Sequence, residues 1–353
     1  MSNSGPPRVG HAVTQSYTSL ARTVRSLGLQ ERTRWFYGLL FGGLVLAIGG
    51  TVTGFLLLED SWLQLLLAGA MGVILTQLAF LGHEASHRQV MASGPANDRV
   101  GWVLAVVFVG ISYSWWMNKH TRHHGNPNKV GKDPDIVSDA FSFVEQDAVG
   151  RPRMPAWVTR RQGRFFFPLM LLEGLNLHVQ SVRSLWVNRR NPGRSLELAV
   201  LSIRFVAYVA AVLWLLPLGM GLAFIGVQLA VFGLYMGASF APNHIGMPIV
   251  ERDVKLDFFT KQVCTSRNVT GGWWATVIMG GLNYQIEHHL FPSMPRPHLA
   301  AARRLVREHC RTLDVPYTET NLIAAWEIVV RHLNRVGLAA GRGFQCPVAT
   351  GLR

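Results

Sequence analysis

The amino-acid sequence predicts an all-α integral membrane protein with four transmembrane helices in two hairpins, interfacial helices and a cytosolic helical cap. Three observations support this fold class. The 353 residues are 49% hydrophobic and only 15% charged, which is too apolar for an ordinary soluble enzyme. Four apolar segments have the length that a bilayer requires, and histidines at helical spacing cluster near the ends of these segments.

The four predicted spans lie in two pairs, and a short link closes each pair. A helix rises about 1.5 Å per residue, so about twenty residues cross the hydrocarbon core. The spans are residues 36–58, 62–82, 196–216 and 220–240. The links "EDS" and "PLG" make each pair a hairpin that returns to the side it left. Arginines precede both hairpins, which places that side in the cytosol.

Two shorter apolar stretches are predicted to lie along the membrane interface. Residues 100–117 are short for a span, and residues 165–182 lie between basic runs that a single crossing would separate. Residues 1–34 form a polar N-terminal tail without the apolar core of a signal peptide. Residues 35–311 form the membrane domain, and residues 312–353 form a cytosolic C-terminal segment.

Histidines occur in three motifs whose spacing places them on one face of a helix. "HEASH" has histidines at positions i and i+4, "HTRHH" has them at i, i+3 and i+4, and "QIEHH" repeats the second pattern with glutamine first. A further histidine follows the fourth span in "FAPNHIG". The candidate metal ligands are His83, His87, His120, His123, His124, His244, Gln285, His288 and His289. Residues 100–117 must return to the cytosolic side, because a crossing would separate the first two motifs.

Three clusters on one membrane face favour a metal site. A single HxxxH motif is explained as well by surface histidines or by a buried pair in the core. Eight imidazoles and one amide exceed what a single ion binds, so we infer two metals with positions left open for oxygen. Imidazole suits iron, zinc, copper and nickel, so the residues alone do not select the metal.

The same motifs resemble the three histidine boxes of the membrane fatty acid desaturases. "HEASH", "HTRHH" and "GGLNYQIEHHLFP" match these boxes, and the resemblance covers roughly residues 35–311. The glutamine of the third box is similar to that of bacterial acyl-CoA desaturases and of front-end desaturases, and "NKHTRHHGNPNKVGKDPDI" resembles the actinobacterial branch. The resemblance implies a desaturase for a fatty acyl-CoA or an acyl lipid, in a bacterial plasma membrane, with its active site facing the cytosol.

The resemblance also implies the cofactors and the electron source. The chain is expected to bind two iron ions through the eight histidines and to use O2 as its co-substrate. Gln285 is then a weak ligand, a water-mediated ligand or a hydrogen-bond donor beside the ligands. Some relatives carry a fused cytochrome domain with a His-Pro-Gly-Gly motif. This motif does not occur here, so the expected electron donor is a separate ferredoxin-like or flavin-dependent protein.

Charged residues near the motifs supply two further sets of candidates. Each imidazole ligand needs an acceptor for its other ring nitrogen, although solvated acids in loops are an equally good interpretation. The candidate acceptors are Glu84, Asp133, Asp135 and Glu287. Guanidinium groups match the geometry of phosphate, although attraction to anionic membrane lipids explains a basic run as well. The candidates for binding the substrate headgroup are Arg183, Arg189, Arg190 and Arg194.

Other function classes are excluded or remain as alternatives. The net charge of +14 beside long apolar runs suits anionic lipids, so no nucleic acid partner is predicted. The three cysteines form no CxxC pair and favour neither a disulfide framework nor a thiolate metal site. A hydroxylase on the same scaffold is an alternative, because the ligands do not choose the product. A metal transporter or sensor is disfavoured, because the histidines crowd at the ends of the spans.

The predicted topology places all three histidine motifs in the cytosol, since both hairpins start and end there. A cysteine at position 121, introduced as Thr121→Cys in a variant whose native cysteines are replaced by serine, should react only with reagents that enter the cell. Labelling of this cysteine by a reagent confined to the outside would contradict the topology.

Overall fold

Helices form nearly all of the regular structure in a computed structural model of the protein. The structure describes residues 9–138, 140–149, 155–189, 191 and 193–341. The helices are α1 (Val9–Ser26), α2 (Arg34–Leu57), α3 (Gln64–Ser86), α4 (Gly94–Trp102), α5 (Tyr113–Gly125), α6 (Glu145–Ala148), α7 (Ala156–Thr159), α8 (Phe166–Met170), α9 (Glu173–Val187), α10 (Arg194–Leu215), α11 (Leu218–His244), α12 (Phe258–Cys264), α13 (Trp273–Ile278), α14 (Gln285–Leu290), α15 (Arg296–Thr312) and α16 (Leu322–Gly337). A π-helical segment, Val103–Val109, continues α4, and 3₁₀ turns lie at Pro134–Ile136, Leu282–Tyr284 and Leu338–Gly341.

Four of the described helices are long and apolar enough to cross a membrane. They are α2, α3, α10 and α11, and they coincide with the predicted spans. The prediction of an all-α membrane protein with four spans in two hairpins is therefore confirmed. Two spans run further than predicted, because α3 continues to Ser86 and α11 continues to His244. These extensions carry His83 and His244 into the cap.

The two hairpins meet along α3 and α11, while α2 and α10 face outward. A Cβ atom at Gly72 of α3 would lie 2.8 Å from the carbonyl oxygen of Gln228 in α11, so only glycine permits this approach. In the most apolar stretch of each helix, 6% of the residues of α2 and 11% of those of α10 are buried inside the protein. The corresponding share for α3 is 50%. The outward apolar surface of α2 and α10 is the surface that a bilayer covers.

The segment before the second histidine motif turns back on itself, as predicted. Gly94–Val109 and α5 meet at an angle of 116°. Gly110 forms the turn with φ +88°, a conformation that side chains with a Cβ rarely adopt. Arg204 of α10 donates hydrogen bonds to the carbonyl oxygens of Val107 and Phe108, at 3.2 and 2.9 Å. These bonds satisfy carbonyl groups at the end of the π-helical segment.

The cap packs around α14 and α15 and includes segments from both ends of the described chain. Leu20 and Val24 of α1 share a hydrophobic cluster with Ile286 of α14 and Val306 of α15. Two short strands, β1 (Asn268–Thr270) and β2 (Glu319–Asn321), pair in parallel. The predicted tail thus contains helix α1, which packs on the cap through Leu20 and Val24. The division at residues 34 and 311 stays a prediction.

A buried ion pair joins the first span hairpin to the cap. Glu84 of α3 accepts hydrogen bonds from Arg296 of α15 at 2.6 and 2.9 Å. Tyr37 of α2 donates its hydroxyl hydrogen to Gln89 at 3.0 Å and contacts Glu84 at 3.3 Å. Both charged side chains are almost fully buried, so each depends on the other for compensation.

Removing one partner of this pair should destabilise the fold. Arg296→Met leaves Glu84 buried without its cation, and we expect a loss of roughly 3–5 kcal/mol in the free energy of unfolding. Titration with sodium dodecyl sulfate in mixed micelles measures this loss. Arg311→Met is the matched control, because the Arg311–Glu308 pair is exposed and should contribute little. Equal losses in the two variants would contradict this assignment.

Candidate metal centre

Four helices bring all eight predicted histidines together at one end of the span bundle. The C-terminal end of α3 supplies His83 and His87, and α5 supplies the second motif through its last two turns. The last residue of α11 is His244, and α14 supplies the third motif. In each helical motif the i, i+3 and i+4 spacing turns the imidazoles toward the same side. The histidines form two groups.

The larger group contains five histidines whose nitrogen atoms lie within 4.8 Å of one another. Its members are His83, His87, His120, His124 and His288. Their Nε2 atoms face each other in pairs, at 2.6 Å between His87 and His120 and at 3.1 Å between His124 and His288. Trp116 stacks on His120 with ring centroids 4.5 Å apart. The group therefore has converging nitrogens and an aromatic wall on one side.

The smaller group contains His123, His244 and His289, again with nitrogen atoms within 4.8 Å of one another. Gln285 adjoins it, because its Nε2 atom lies 2.9 Å from Nε2 of His244. The rings of His124 and His289 stack with centroids 4.2 Å apart and an interplanar angle of 11°. This stacking joins the two groups side by side.

In the smaller group, hydrogen bonds determine which ring nitrogen of His244 and His289 carries the hydrogen. Nδ1 of His244 lies 3.0 Å from the carbonyl oxygen of Thr265, which can only accept, so Nδ1 carries the hydrogen. Nδ1 of His289 lies 2.8 Å from Oε1 of Gln262, and the amide group of Gln262 donates to the carbonyl oxygen of His124. Nε2 therefore carries no hydrogen in either ring. Nε2 of His289 makes no hydrogen bond and keeps its lone pair for a ligand bond, whereas Nε2 of His244 accepts a hydrogen bond from the NH2 group of Gln285 at 2.9 Å, which a metal bond would replace.

The third histidine of this group is oriented by acidic residues. Nδ1 of His123 donates to the carboxylate of Asp133 at 3.1 Å, and an oxygen of Asp135 lies 3.3 Å away. Burial alone lowers the pKa of His123, but Asp135 and Asp133 outweigh it and raise the pKa. Asp135 also pairs with Lys119 at 2.7 Å. Asp133 and Asp135 thus lie where the sequence analysis expected acceptors for a ring nitrogen.

The other two predicted acceptors have different partners. Glu84 points away from the ring nitrogens because it pairs with Arg296. Glu287 accepts hydrogen bonds from Asn268 at 2.7 Å and Tyr317 at 2.9 Å, and burial raises its pKa to about 7. Both carboxylates therefore connect the histidine helices to neighbouring segments. Gln262 and the carbonyl oxygen of Thr265 were missed, because α12 carries no motif that marks it as part of a metal site.

Burial keeps most of the imidazoles neutral. It lowers the pKa of His87 to about 3, and it lowers the pKa of His120, His124, His288 and His289 well below the usual value. Neighbouring histidines lower several of these values further, because two positive rings would repel each other. A neutral imidazole has a free lone pair, so these side chains are suited to bind metal at neutral pH.

Some ring nitrogens of these histidines have no hydrogen-bond partner, and this also fits a metal site. Both ring nitrogens of His83 and Nε2 of His289 are buried and make no hydrogen bond. A buried polar atom without a partner is costly, and a metal bond is the interaction that a converging set of imidazoles provides. The histidine cluster can therefore hold metal.

Three of the four arginines proposed for the substrate headgroup lie in the described part of the chain, around the link between α9 and α10. Arg183 and Arg189, in and just after α9, are exposed. Arg194 begins α10 and donates from Nε to the carbonyl oxygen of Leu185 at 2.5 Å. Arg190 lies outside the described residues.

Together, these features define a multi-pass membrane protein with a histidine cluster that can hold metal. The family model described as Fatty acid desaturase matches residues 60–321, which is most of the chain and includes every predicted ligand. The chain belongs to the fatty acid desaturase family and is an oxidoreductase. The resemblance to this family is thereby confirmed, while the actinobacterial branch stays a prediction.

Curated relatives extend this result over nearly the full length of the chain. A Delta(8)-fatty-acid desaturase of Helianthus annuus is 28% identical over 343 residues, covering 93% of this chain and 74% of that protein. An Acyl-lipid (9-3)-desaturase of Borago officinalis is also 28% identical, covering 93% of this chain and 76% of the relative. An Acyl-lipid (8-3)-desaturase of Rebecca salina is 30% identical, covering 69% of this chain and 58% of that protein.

Proposed function

We propose that the protein is an O2-dependent desaturase for a fatty acyl-CoA and that it uses two iron ions. The reaction converts –CH2–CH2–, O2, two electrons and two protons into –CH=CH– and two molecules of water. The observation that carries the proposal is the division of eight histidines into two adjacent groups of converging nitrogens. The names of two relatives make an acyl lipid the main alternative substrate.

In this proposal, the five-histidine group and the three-histidine group each hold one iron. The iron supplies the oxidant that an unactivated methylene requires, since such a group has no acidic proton for a side chain to remove. The protein holds the imidazoles in fixed directions through Asp133, Gln262 and Thr265. Trp116 and Phe240 lie beside His120 and His83 and exclude water from that side.

Gln285 is proposed to act as a hydrogen-bond donor next to the smaller group. Asn243 donates from Nδ2 to Oε1 of Gln285 at 3.2 Å, and to the carbonyl oxygen of Ser239 at 3.2 Å. This arrangement turns the NH2 group of Gln285 toward His244. An amide NH2 group donates and does not bind metal, so it suits a water molecule or O2 near the ion.

The electron donor is proposed to be a separate ferredoxin-like or flavin-dependent protein. Arg307 and Arg311 of α15 have 62% and 80% of their side-chain surface exposed, and Arg304 on the same helix is also exposed. An exposed basic surface favours association with an acidic partner. We place this surface and the metal centre on the cytosolic side of a bacterial plasma membrane.

Product analysis tests the reaction. Expression in a host that lacks desaturase activity should produce monounsaturated acyl chains, and mass spectrometry with double-bond localisation identifies them. Purified protein with a ferredoxin and its reductase should act on acyl-CoA in detergent. Conversion of an acyl lipid alone would replace the substrate, and a hydroxylated product would replace the reaction.

Metal content tests the ligand assignment. The purified protein should contain about two irons per chain. His120→Ala and His289→Ala each remove a ligand from one group, so both variants should lose iron and abolish desaturation. His309→Ala is the control, because His309 lies outside both groups and contacts Ser16 at 3.1 Å. Full iron content and turnover in the His120 variant would contradict the assignment.

Variants at Gln285 separate a donor from a direct ligand. Gln285→Ala should keep measurable iron and some turnover, because loss of a group next to the ligands typically costs on the order of 10- to 100-fold. Gln285→His should be tolerated better, since an imidazole restores a donor or a ligand. Gln285→Glu offers an oxygen ligand but no NH2 group, so it should keep iron and lose turnover. If Gln285→Ala loses iron as completely as His289→Ala, then Gln285 is an essential ligand.

A further inference from the structure

Side chains of α9 and α10 hold the turn that leads into α5. This turn covers residues 110–112, all of which are buried. Water therefore cannot satisfy its backbone N–H and C=O groups. A buried backbone group without a partner is costly, so each group in such a turn needs a side chain or another part of the backbone as its partner.

Two buried residues of α9 bind the middle of the turn. Nδ1 of His178 donates to the carbonyl oxygen of Gly110 at 2.9 Å, and the backbone N–H group of Ser112 donates to Oγ of Ser181. His178 and Ser181 are three residues apart, so they lie on the same face of α9. The ring of His178 also stacks on Phe232 of α11, with an interplanar angle of 15°. These contacts attach the turn to two neighbouring helices.

Two charged residues of α10 bind the helix ends on either side of the turn. Glu197 and Arg204 are seven residues apart, so they lie on the same face of α10. Arg204 donates to carbonyl oxygens at the end of the π-helical segment. Glu197 is buried and accepts a hydrogen bond from the backbone N–H group of Ser114 at 3.2 Å. The anion thus meets the N-terminus of α5 and the cation meets the C-terminus of the preceding segment, as the dipole of each favours.

Glu197 completes the N-terminal cap of α5. Ser112 is the N-cap residue, and its Oγ atom accepts from the N–H group of Trp115 at 3.1 Å while it donates to Glu197. The hydroxyl of Ser114 also donates to Glu197, at 3.0 Å, and accepts from Nδ2 of Asn191 at 2.5 Å. Among the described residues, every donor to Glu197 thus belongs to the first turn of α5 or to its cap.

The capped end of α5 lies directly before the second histidine motif. Trp116 stacks on His120 with ring centroids 4.5 Å apart. His120 and His124 belong to the larger histidine group, and His123 belongs to the smaller group. A movement of the first turn of α5 would therefore displace imidazoles of both groups, since one short helix carries all three.

We propose that Glu197 is a positioning residue for the metal site. It binds the first turn of α5 and so fixes the direction of the helix that carries His120, His123 and His124. The proposal rests on the proposed function, since it assumes that these histidines bind metal. Glu197 acts through α5 alone and needs no contact with metal or substrate. An apolar residue would fill the same space but would leave the N–H group of Ser114 buried without its acceptor.

Hydrogen exchange tests the cap without any metal. It is measured by mass spectrometry on the full chain in maltoside micelles. Glu197→Ala should speed exchange at residues 114–117 by about tenfold, because the first turn of α5 loses its acceptor and opens more often. Tyr208→Phe is the matched control. It removes one hydrogen bond of the same helix, from the hydroxyl to Oε1 of Gln228 at 3.1 Å, and should leave exchange in α5 unchanged.

Cobalt binding tests the effect on the histidines. Co²⁺ is titrated into chelator-treated protein, and its visible absorption reports the geometry of the ligands. Glu197→Ala should weaken binding by about tenfold, the lower end of the roughly 10- to 100-fold typical when a group that orients ligands is lost. The absorption bands should also shift, because three imidazoles change direction. Tyr208→Phe should bind Co²⁺ like the original protein.

The conservative variant keeps the proposal testable if the alanine variant does not fold. Glu197→Gln keeps the size of the side chain and one acceptor oxygen, so its exchange rate and its Co²⁺ affinity should both be intermediate. Faster exchange in α5 with unchanged Co²⁺ affinity and absorption would overturn the proposal, because the cap would then stabilise the helix without positioning the ligands. Unchanged exchange would overturn it as well.

Failure of the proposed function gives a different result. If the original protein binds neither iron nor Co²⁺, the proposed function is contradicted before any variant is compared. If the original protein has iron and turnover and the Glu197 variants match it in exchange and in Co²⁺ binding, only the positioning role is disproved.

Discussion

The buried pairing of Glu84 with Arg296 is the interaction on which the arrangement of the histidine cluster most depends. Glu84 lies between His83 and His87, and Arg296 begins the helix that follows the third histidine motif. The pair therefore fixes the distance between a span and the cap. Burying two charges is costly, and excellent geometry with further hydrogen bonds is what offsets the cost. Two hydrogen bonds of 2.6 and 2.9 Å between Arg296 and Glu84 provide that geometry.

Hydropathy and histidine spacing predicted the spans and the eight histidines that lie together, because both depend on local sequence. A span needs only sufficient apolar length, and the i, i+4 spacing aligns side chains on any helix. The partners of the imidazoles depend on tertiary structure and were predicted less well. Gln262 lies in α12, and Thr265 directly follows this helix, which carries no motif. Glu84 adjoins a histidine in sequence, but its side chain turns to an arginine that no local pattern indicates.

Burial lowers the pKa of the histidines in the cap and raises the pKa of Glu287. It removes the positive charge from histidines, which prepares them for metal, and it makes each carboxylate dependent on donors or cations. Glu287 lies beside His288 and is satisfied by Asn268 and Tyr317. The low-polarity surroundings thus keep the histidines neutral without leaving Glu84 or Glu287 unpaired, because each of these carboxylates has its own partners.

The two histidine groups have different surroundings, and this asymmetry bears on the proposed reaction. The five-histidine group borders Trp116 and Phe240, which present apolar surface. The three-histidine group borders Asp133 and Asp135 through His123. An acyl substrate has one apolar and one charged end. On the proposed function, the apolar rings beside the larger group face the acyl chain. The position of the double bond would then be set by the carbon pair of the acyl chain that lies beside this group.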